Sequence, residues 1–278
     1  MTENKQLVRK LNRYFNLNKK DLERAKSYNC GPGNISIFSR SAPNNNNANE
    51  DSVGVIPIDD STVILMVADG VGGQVHGKEA SMLVLTEIRK AVARVRKKGD
   101  SLREGILSGI EKANKHMQAK LAGSASTLAI AEIQEHSMST YHVGDTEIIT
   151  SDSAGNIIYQ SIAHSPVGYA VEAGMLDEEQ AIMHDERHLV SNVVGDADMH
   201  IDVSTNIEMK PDETLLIATD GLFDNLQKSE VVEIIREGEL DACGQSLVEH
   251  ATERMFEQKT DQPSKFDDMS FILFRASQ

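Results

Sequence analysis

Two stretches that copy each other constrain this chain more than any other feature. Thr62–Gly70 reads TVILMVADG and Thr214–Gly221 reads TLLIATDG, each an apolar, β-branched run that ends in Asp-Gly. An apolar run of this length bounded by turn residues suits a strand packed on both faces, so each copy predicts a buried strand delivering a carboxylate where it leaves the core. Asp69 and Asp220 then stand on rigid supports. The glycine after each is read as letting the backbone turn sharply and bring its carbonyl close to whatever the carboxylate holds. A single Asp-Gly reads equally as a turn dipeptide. The repetition argues for more.

Two such carboxylates near one another at low dielectric repel and raise each other's pKa, and a cation resolves the conflict. Oxygen donors select hard ions, Mg²⁺, Mn²⁺ or Ca²⁺, whereas zinc or copper sites would want His and Cys. The two cysteines, Cys30 and Cys243, lie far apart without metal-type spacing, and neither has an Arg six residues on, so a disulfide and thiol catalysis are both disfavoured. The chain carries 28 basic and 43 acidic residues, a formal charge of −15, which argues against nucleic acid as a partner. No stretch has the apolar run needed to cross a bilayer, and the start MTENKQLVRKLNRYF lacks a signal-peptide pattern, so no membrane partner and a soluble, cytoplasmic protein are expected.

With 278 residues and 40% hydrophobic content, one large domain is expected after an N-terminal extension, residues 1–30 and 31–278. Leu7, Leu11, Tyr14 and Phe15 recur at helical spacing and predict an amphipathic helix within 3–28. Short strands are predicted around Ile35–Ser39 and Ser52–Ile58, with the asparagine run between them as a loop ending at Glu50 and Asp51. A long amphipathic helix follows the first Asp-Gly, closed by Gly99, and Ser101 with Glu104 has capping-box spacing for a second. Four strand patterns, Ser126–Ile133, Ser137–Val143, Glu147–Thr150 and Ile157–Ile162, then read as a meander in which Val143-Gly144-Asp145 places another carboxylate at a strand end. Residues 164–198 read as a mobile insertion over a cleft. After the strands around His200–Val203 and Thr214–Thr219 come a helix capped by Ser229, another over Asp241–Phe256, and a last strand, Met269–Phe274, opened by Asp267 and Asp268. The order predicts an α+β fold: two antiparallel sheets packed face to face with helices outside, gathering Asp69, Asp145, Asp220 and Asp267 at one edge.

The series NEDS (Asn49–Ser52), ADGVGG (Ala68–Gly73), VGDTE (Val143–Glu147), ATDGLFD (Ala218–Asp224) and DDMS (Asp267–Ser270) resembles, in order and spacing, the metal-dependent serine/threonine phosphatases of the PPM (type 2C) family, the bacterial members most of all. The resemblance implies an αββα sandwich with two Mn²⁺ or Mg²⁺ ions between the sheets. Asp69 would bridge both, Gly70 would offer its carbonyl to one, and Asp220 and Asp267 would hold the other. Glu50 and Asp51 match the acidic pair that contacts metal or orients its waters, and Asp145 matches a ligand that with Asp220 builds a third, weaker position. It also implies hydrolysis of phosphoserine and phosphothreonine in proteins, substrates of a serine/threonine kinase, by direct attack of a water bridging the metals.

The chain departs from the family's pattern at three places. Asn46 stands where many members carry a phosphate-clamping Arg, which leaves Arg40 as the nearby candidate and implies weaker phosphate binding. Val71 stands where eukaryotic members carry His, and Asp268 replaces an Asn, adding negative charge beside the site. The lost Arg prompts a rival reading, a degenerate phosphatase that binds phosphoprotein without turning it over; the retained Asp69, Gly70, Asp220 and Asp267 favour activity. His184 and His188 have the i, i+4 spacing of a zinc helix without its Glu in the required place, and read as solvated surface.

Overall fold

In Thr62–Ala68 the side chains divide by parity, as a strand with two covered faces requires. Val63, Leu65 and Val67 enter one apolar cluster, and Ile64, Met66 and Ala68 enter another. The second copy behaves alike: Leu215 and Ile217 join the first cluster, while Leu216 and Ala218 face a third. The shared cluster lies between two sheets, and the other two lie between each sheet and its helices. Those three apolar layers define a four-layer αββα sandwich.

The computed structural model describes residues 21–43, 48–71, 76–257 and 262–277. Its strands are β1 (Lys26–Cys30), β2 (Gly33–Arg40), β3 (Ser52–Pro57), β4 (Thr62–Ala68), β5 (Gly70–Val71), β6 (Ala125–Ser126), β7 (Leu128–Gln134), β8 (Ser137–Val143), β9 (Glu147–Ser151), β10 (Ile157–Gln160), β11 (Asp202–Glu208), β12 (Thr214–Ala218) and β13 (Met269–Ala276). The helices are α1 (Gly77–Lys98), α2 (Leu102–Lys120), α3 (Pro166–Glu172), α4 (Glu178–Ile182), α5 (Asp220–Phe223), α6 (Lys228–Ile235) and α7 (Leu240–Phe256). One sheet has the order β1-β2-β13-β12-β9-β10 and the other β11-β8-β7-β4-β3, and every pair within them is antiparallel. Helices α1 and α2 cover the second sheet through Val84, Ile88, Ile106 and Ile110; α6 and α7 cover the first through Val231, Ile235, Leu247 and Ala251.

Several local expectations need correction. Most of the helix expected within 3–28, the asparagine run at 44–47 and the end of the ADGVGG motif lie outside the described residues. Asp21–Ala25 is not helical and Lys26–Cys30 is an edge strand, because β2 offers an edge that pairs with it in register from Lys26 opposite Ile37 to Cys30 opposite Gly33. The four-strand meander is split: β7 and β8 belong to one sheet, and the chain crosses at Gly144–Thr146 to place β9 and β10 in the other. The helix expected from Gly221 onward is two, α5 and α6, and the cap of α6 is Gln227 with Glu230 rather than Ser229. Ser101 does cap α2, but its side chain makes no capping hydrogen bond. Gly99 ends α1 in the left-handed conformation as expected.

Residues 164–198 fold over one end of the first sheet and are stitched shut at their base. The Ser191 N–H and hydroxyl both donate to the His164 carbonyl, at 2.8 and 2.9 Å. The Asn192 side chain exchanges hydrogen bonds with the His200 backbone, at 2.9 and 3.1 Å. Among the described residues, no helix is long and apolar enough to cross a membrane.

Candidate metal centre

Strand register brings the acidic residues to one end of the sandwich. Ser52 pairs with Ala68, so Asp51 and Asp69 are neighbours just beyond β3 and β4. Ala218 pairs with Glu147 on one side and Phe271 on the other, which places Asp220 between the approach to β9, carrying Asp145, and the entry to β13, carrying Asp267. Asp51, Asp69, Asp145, Asp220 and Asp267 thus converge from five chain segments and both sheets.

Threonines and glycines make the approach possible. Thr219 donates its hydroxyl to Asp51 Oδ2 at 2.9 Å and receives the Ser270 N–H at 3.1 Å, locking the starts of β3 and β13 to the end of β12. Asp69 is held through its backbone, donating its N–H to the Thr127 hydroxyl at 3.0 Å and accepting from the Thr127 N–H at 2.9 Å. The two Asp-Gly glycines are required by crowding. Neither has positive φ, but a Cβ on Gly70 would lie 2.0 Å from the Gly77 carbonyl oxygen and one on Gly221 1.9 Å from that of Asp268. Gly70 lets α1 begin against the site, and Gly221 lets the entry to β13 pass over α5.

Electrostatically the cluster is under-compensated. Burial, then the charges of Asp51, Asp220, Asp145 and Asp267, hold the Asp69 carboxyl well above the usual carboxylate range. Burial and then Asp268 do the same to Asp51. The Asp145 carboxyl is pushed up to about 8 by burial and then Asp220, and that of Asp267 to about 6 by the same two causes. Among the described residues, Asp51 Oδ1 is fully buried with no hydrogen-bond partner. A carboxylate oxygen orphaned among like charges fits a hard divalent ion, and the all-oxygen donor set fits Mg²⁺ or Mn²⁺. Glu50 is at the rim, its carboxyl raised by burial, then by Asp268 and Glu79.

Asp268 accepts the Ala42 N–H at 2.7 Å and the Glu50 N–H at 2.6 Å, so its carboxylate closes the loop that carries the acidic pair. An Asn there would offer one acceptor oxygen where two N–H groups point. Arg40 pairs with Met269 across the ladder, two residues from Asp267, with its guanidinium 6.0 Å from the Phe38 ring centre.

Sequence reasoning missed three contributors. Asp224 is one helical turn beyond Asp220 and offers an oxygen within 4.8 Å of ligand atoms of Asp220 and Asp267; that i, i+4 spacing was the available signal. Lys265 sends its ammonium to Asp267 Oδ2 at 2.7 Å, Asp224 Oδ2 at 2.8 Å and Asp220 Oδ2 at 3.0 Å. Arg187, from the segment over the cleft, has its Nε 3.4 Å from Asp224 Oδ1. That segment roofs a cavity of about 720 Å³ whose wall runs from Asp145, Asp220 and Asp224 to the apolar Val167 and Phe223. Lys228 joins roof to floor, 3.0 Å from Glu147 and 3.0 Å from Glu178.

His184 and His188 follow α4, and His184 Nδ1 accepts the Glu186 N–H at 3.1 Å. His164, His200 and Asp202 bring ligand atoms within 4.8 Å of one another, but His164 Nδ1 accepts the Gly144 N–H at 3.1 Å. The neutral ring therefore carries its proton on Nε2, 3.1 Å from Asp202, where a metal would have to bind. This cluster is a brace for the overlying segment.

The family model described as Protein phosphatase 2C matches residues 40–257. Protein phosphatase PhpP of Streptococcus pneumoniae is 27% identical over 182 residues, 62% of this chain and 72% of that protein. The serine/threonine phosphatase Stp1 of Staphylococcus aureus superposes with a TM-score of 0.74 at 22% identity, covering 90% of this chain and 98% of that one. The catalytic domain of the serine/threonine protein phosphatase PstP, solved in complex with two manganese ions, superposes with a TM-score of 0.68 at 20% identity, covering 88% and 98%.

Proposed function

The chain belongs to the protein phosphatase 2C family, and we propose that its acidic cluster holds a pair of Mn²⁺ or Mg²⁺ ions with which it hydrolyses phosphoserine and phosphothreonine in proteins. The observation that carries the reading is the convergence of Asp51, Asp69, Asp145, Asp220 and Asp267 on one floor, where burial and then like charge raise the carboxyls of Asp51, Asp69, Asp145 and Asp267. When bound, the ions supply Lewis acidity that activates a water and screens the phosphoryl oxygens. In the roles proposed, Asp69 would serve both ions, Gly70 would offer its carbonyl to one, and Asp220 with Asp267 would hold the other. Asp51 and Glu50 would bind directly or fix ligand waters, Asp145 with Asp220 would form a weaker third position, and Arg40 would steady the phosphate.

The chain's own thiols disfavour a cysteinyl phosphoenzyme. Burial pushes the Cys30 thiol up to about 12 and raises that of Cys243. Neither is a nucleophile at neutral pH. The roofed cavity beside Asp145 and Asp224 gives the residues flanking a phosphorylated side chain a partly apolar place to lie, away from bulk water. Two buried cysteines without a disulfide suit a reducing, cytoplasmic setting, where the substrates would be products of a serine/threonine kinase.

The test is phosphate release from a phosphothreonine peptide, with p-nitrophenyl phosphate as a second substrate, across a Mn²⁺ titration. Activity should require the ion and fall to background in Asp69→Asn. No turnover with Mn²⁺ or Mg²⁺, alongside retained phosphopeptide binding, would instead favour a phosphoprotein-binding module.

A further inference from the structure

Lys265 is placed by design of the fold, through contacts its ammonium does not make. Asn225, fully buried, accepts the Lys265 N–H on Oδ1 and donates Nδ2 to the Lys265 carbonyl, both at 2.9 Å. The same Nδ2 donates to the Gly221 carbonyl at 2.9 Å. Asn225 therefore fixes the backbone of Lys265 against the turn that presents Asp220. From that anchor the side chain delivers its ammonium within 3.0 Å of Asp220, Asp224 and Asp267. Two of those three carry the second ion in the function proposed above.

We propose that Lys265 is a tethered counter-cation of this site: its ammonium takes the position between Asp220, Asp224 and Asp267 that a divalent ion must occupy, so this half fills only by displacing it. This rests on the assignment of Asp220 and Asp267 as ligands. A monovalent cation held at hydrogen-bond distance from three carboxylates offsets part of their charge in the metal-free protein and repels an incoming dication. The two ions then load unequally. The half built on Asp69 and Gly70 fills first, and the half facing Lys265 fills at higher concentration, making occupancy responsive to the divalent-ion level.

Calorimetry and the electron-spin signal of free Mn²⁺ give the two dissociation constants. Lys265→Met and Lys265→Gln should tighten the weaker constant at least tenfold, while Lys265→Arg, which keeps the charge, should stay near the parent value. Unchanged or weaker binding in Lys265→Met and Lys265→Gln overturns the proposal. Should the neutral variants fail to fold, the parent protein still decides. Amine-directed labelling of Lys265, read by mass spectrometry, should rise as the weaker site fills, and constant labelling overturns the proposal. Phosphopeptide hydrolysis on the same samples separates the two ideas. Tightened binding without any turnover would leave Lys265 in its role and remove the phosphatase reading; turnover with unchanged binding would do the reverse.

Discussion

Asp268 shows how a single carboxylate can look like part of a metal site and serve the backbone instead. Its two oxygens receive the N–H groups of Ala42 and Glu50 and hold the loop that ends in the acidic pair, while its charge still raises the carboxyls of Asp51 and Glu50. Asp268→Asn should leave one N–H without an acceptor and cost about 1–3 kcal/mol, read as a lower urea midpoint with an unchanged slope. An unchanged midpoint would show that the loop is held by other contacts. Asp69 and Asp220 were legible as members of one acidic cluster because each ends an apolar run that no ordinary turn needs. Lys265 was not, because what positions it is Asn225, forty residues earlier, and no local pattern joins them.

Among the elements, β4 and β12 were the most legible, since a run apolar at every position fits only a strand covered on both faces. β1 was the least. Its Lys26–Cys30 has no alternation to read, and it becomes a strand because β2 offers an edge and α7 covers Ala25. The covering segment depends on Lys228, which links Glu147 at the start of β9 to Glu178 at the start of α4. Burial raises the Glu147 carboxyl, and Lys228 opposes that shift. Lys228→Met should leave a buried carboxylate unpaired, costing about 3 kcal/mol, and should speed proteolytic cleavage within residues 164–198. Cleavage there at the parent rate would mean that the His164, Ser191 and Asn192 contacts hold the segment without Lys228.

For the whole molecule, the acidic floor sets how stability follows pH. Carboxyls whose folded-state pKa is raised bind protons longer in the folded chain than in the unfolded one, so their contribution is full at low pH and lost as pH rises through the folded value. From an ordinary 3.8, the window runs to about 6 for Asp267 and about 8 for Asp145. His142, buried neutral and lowered to about 3 from 6.5, acts in the opposite sense below pH 6.5. Between pH 6.5 and 8 the carboxyls prevail. The metal-free protein should lose Tm across that interval, and saturating Mn²⁺ should abolish the loss. A metal-free Tm that climbs over the same range would contradict it.

The proposed function requires acids from both sheets to share divalent ions. It is tested most directly by anomalous scattering at the manganese edge from crystals grown with Mn²⁺. Peaks are expected in direct coordinating contact with Asp69, Asp220 and Asp267. Manganese bound elsewhere, or none at this end of the sandwich at saturating concentration, would contradict it.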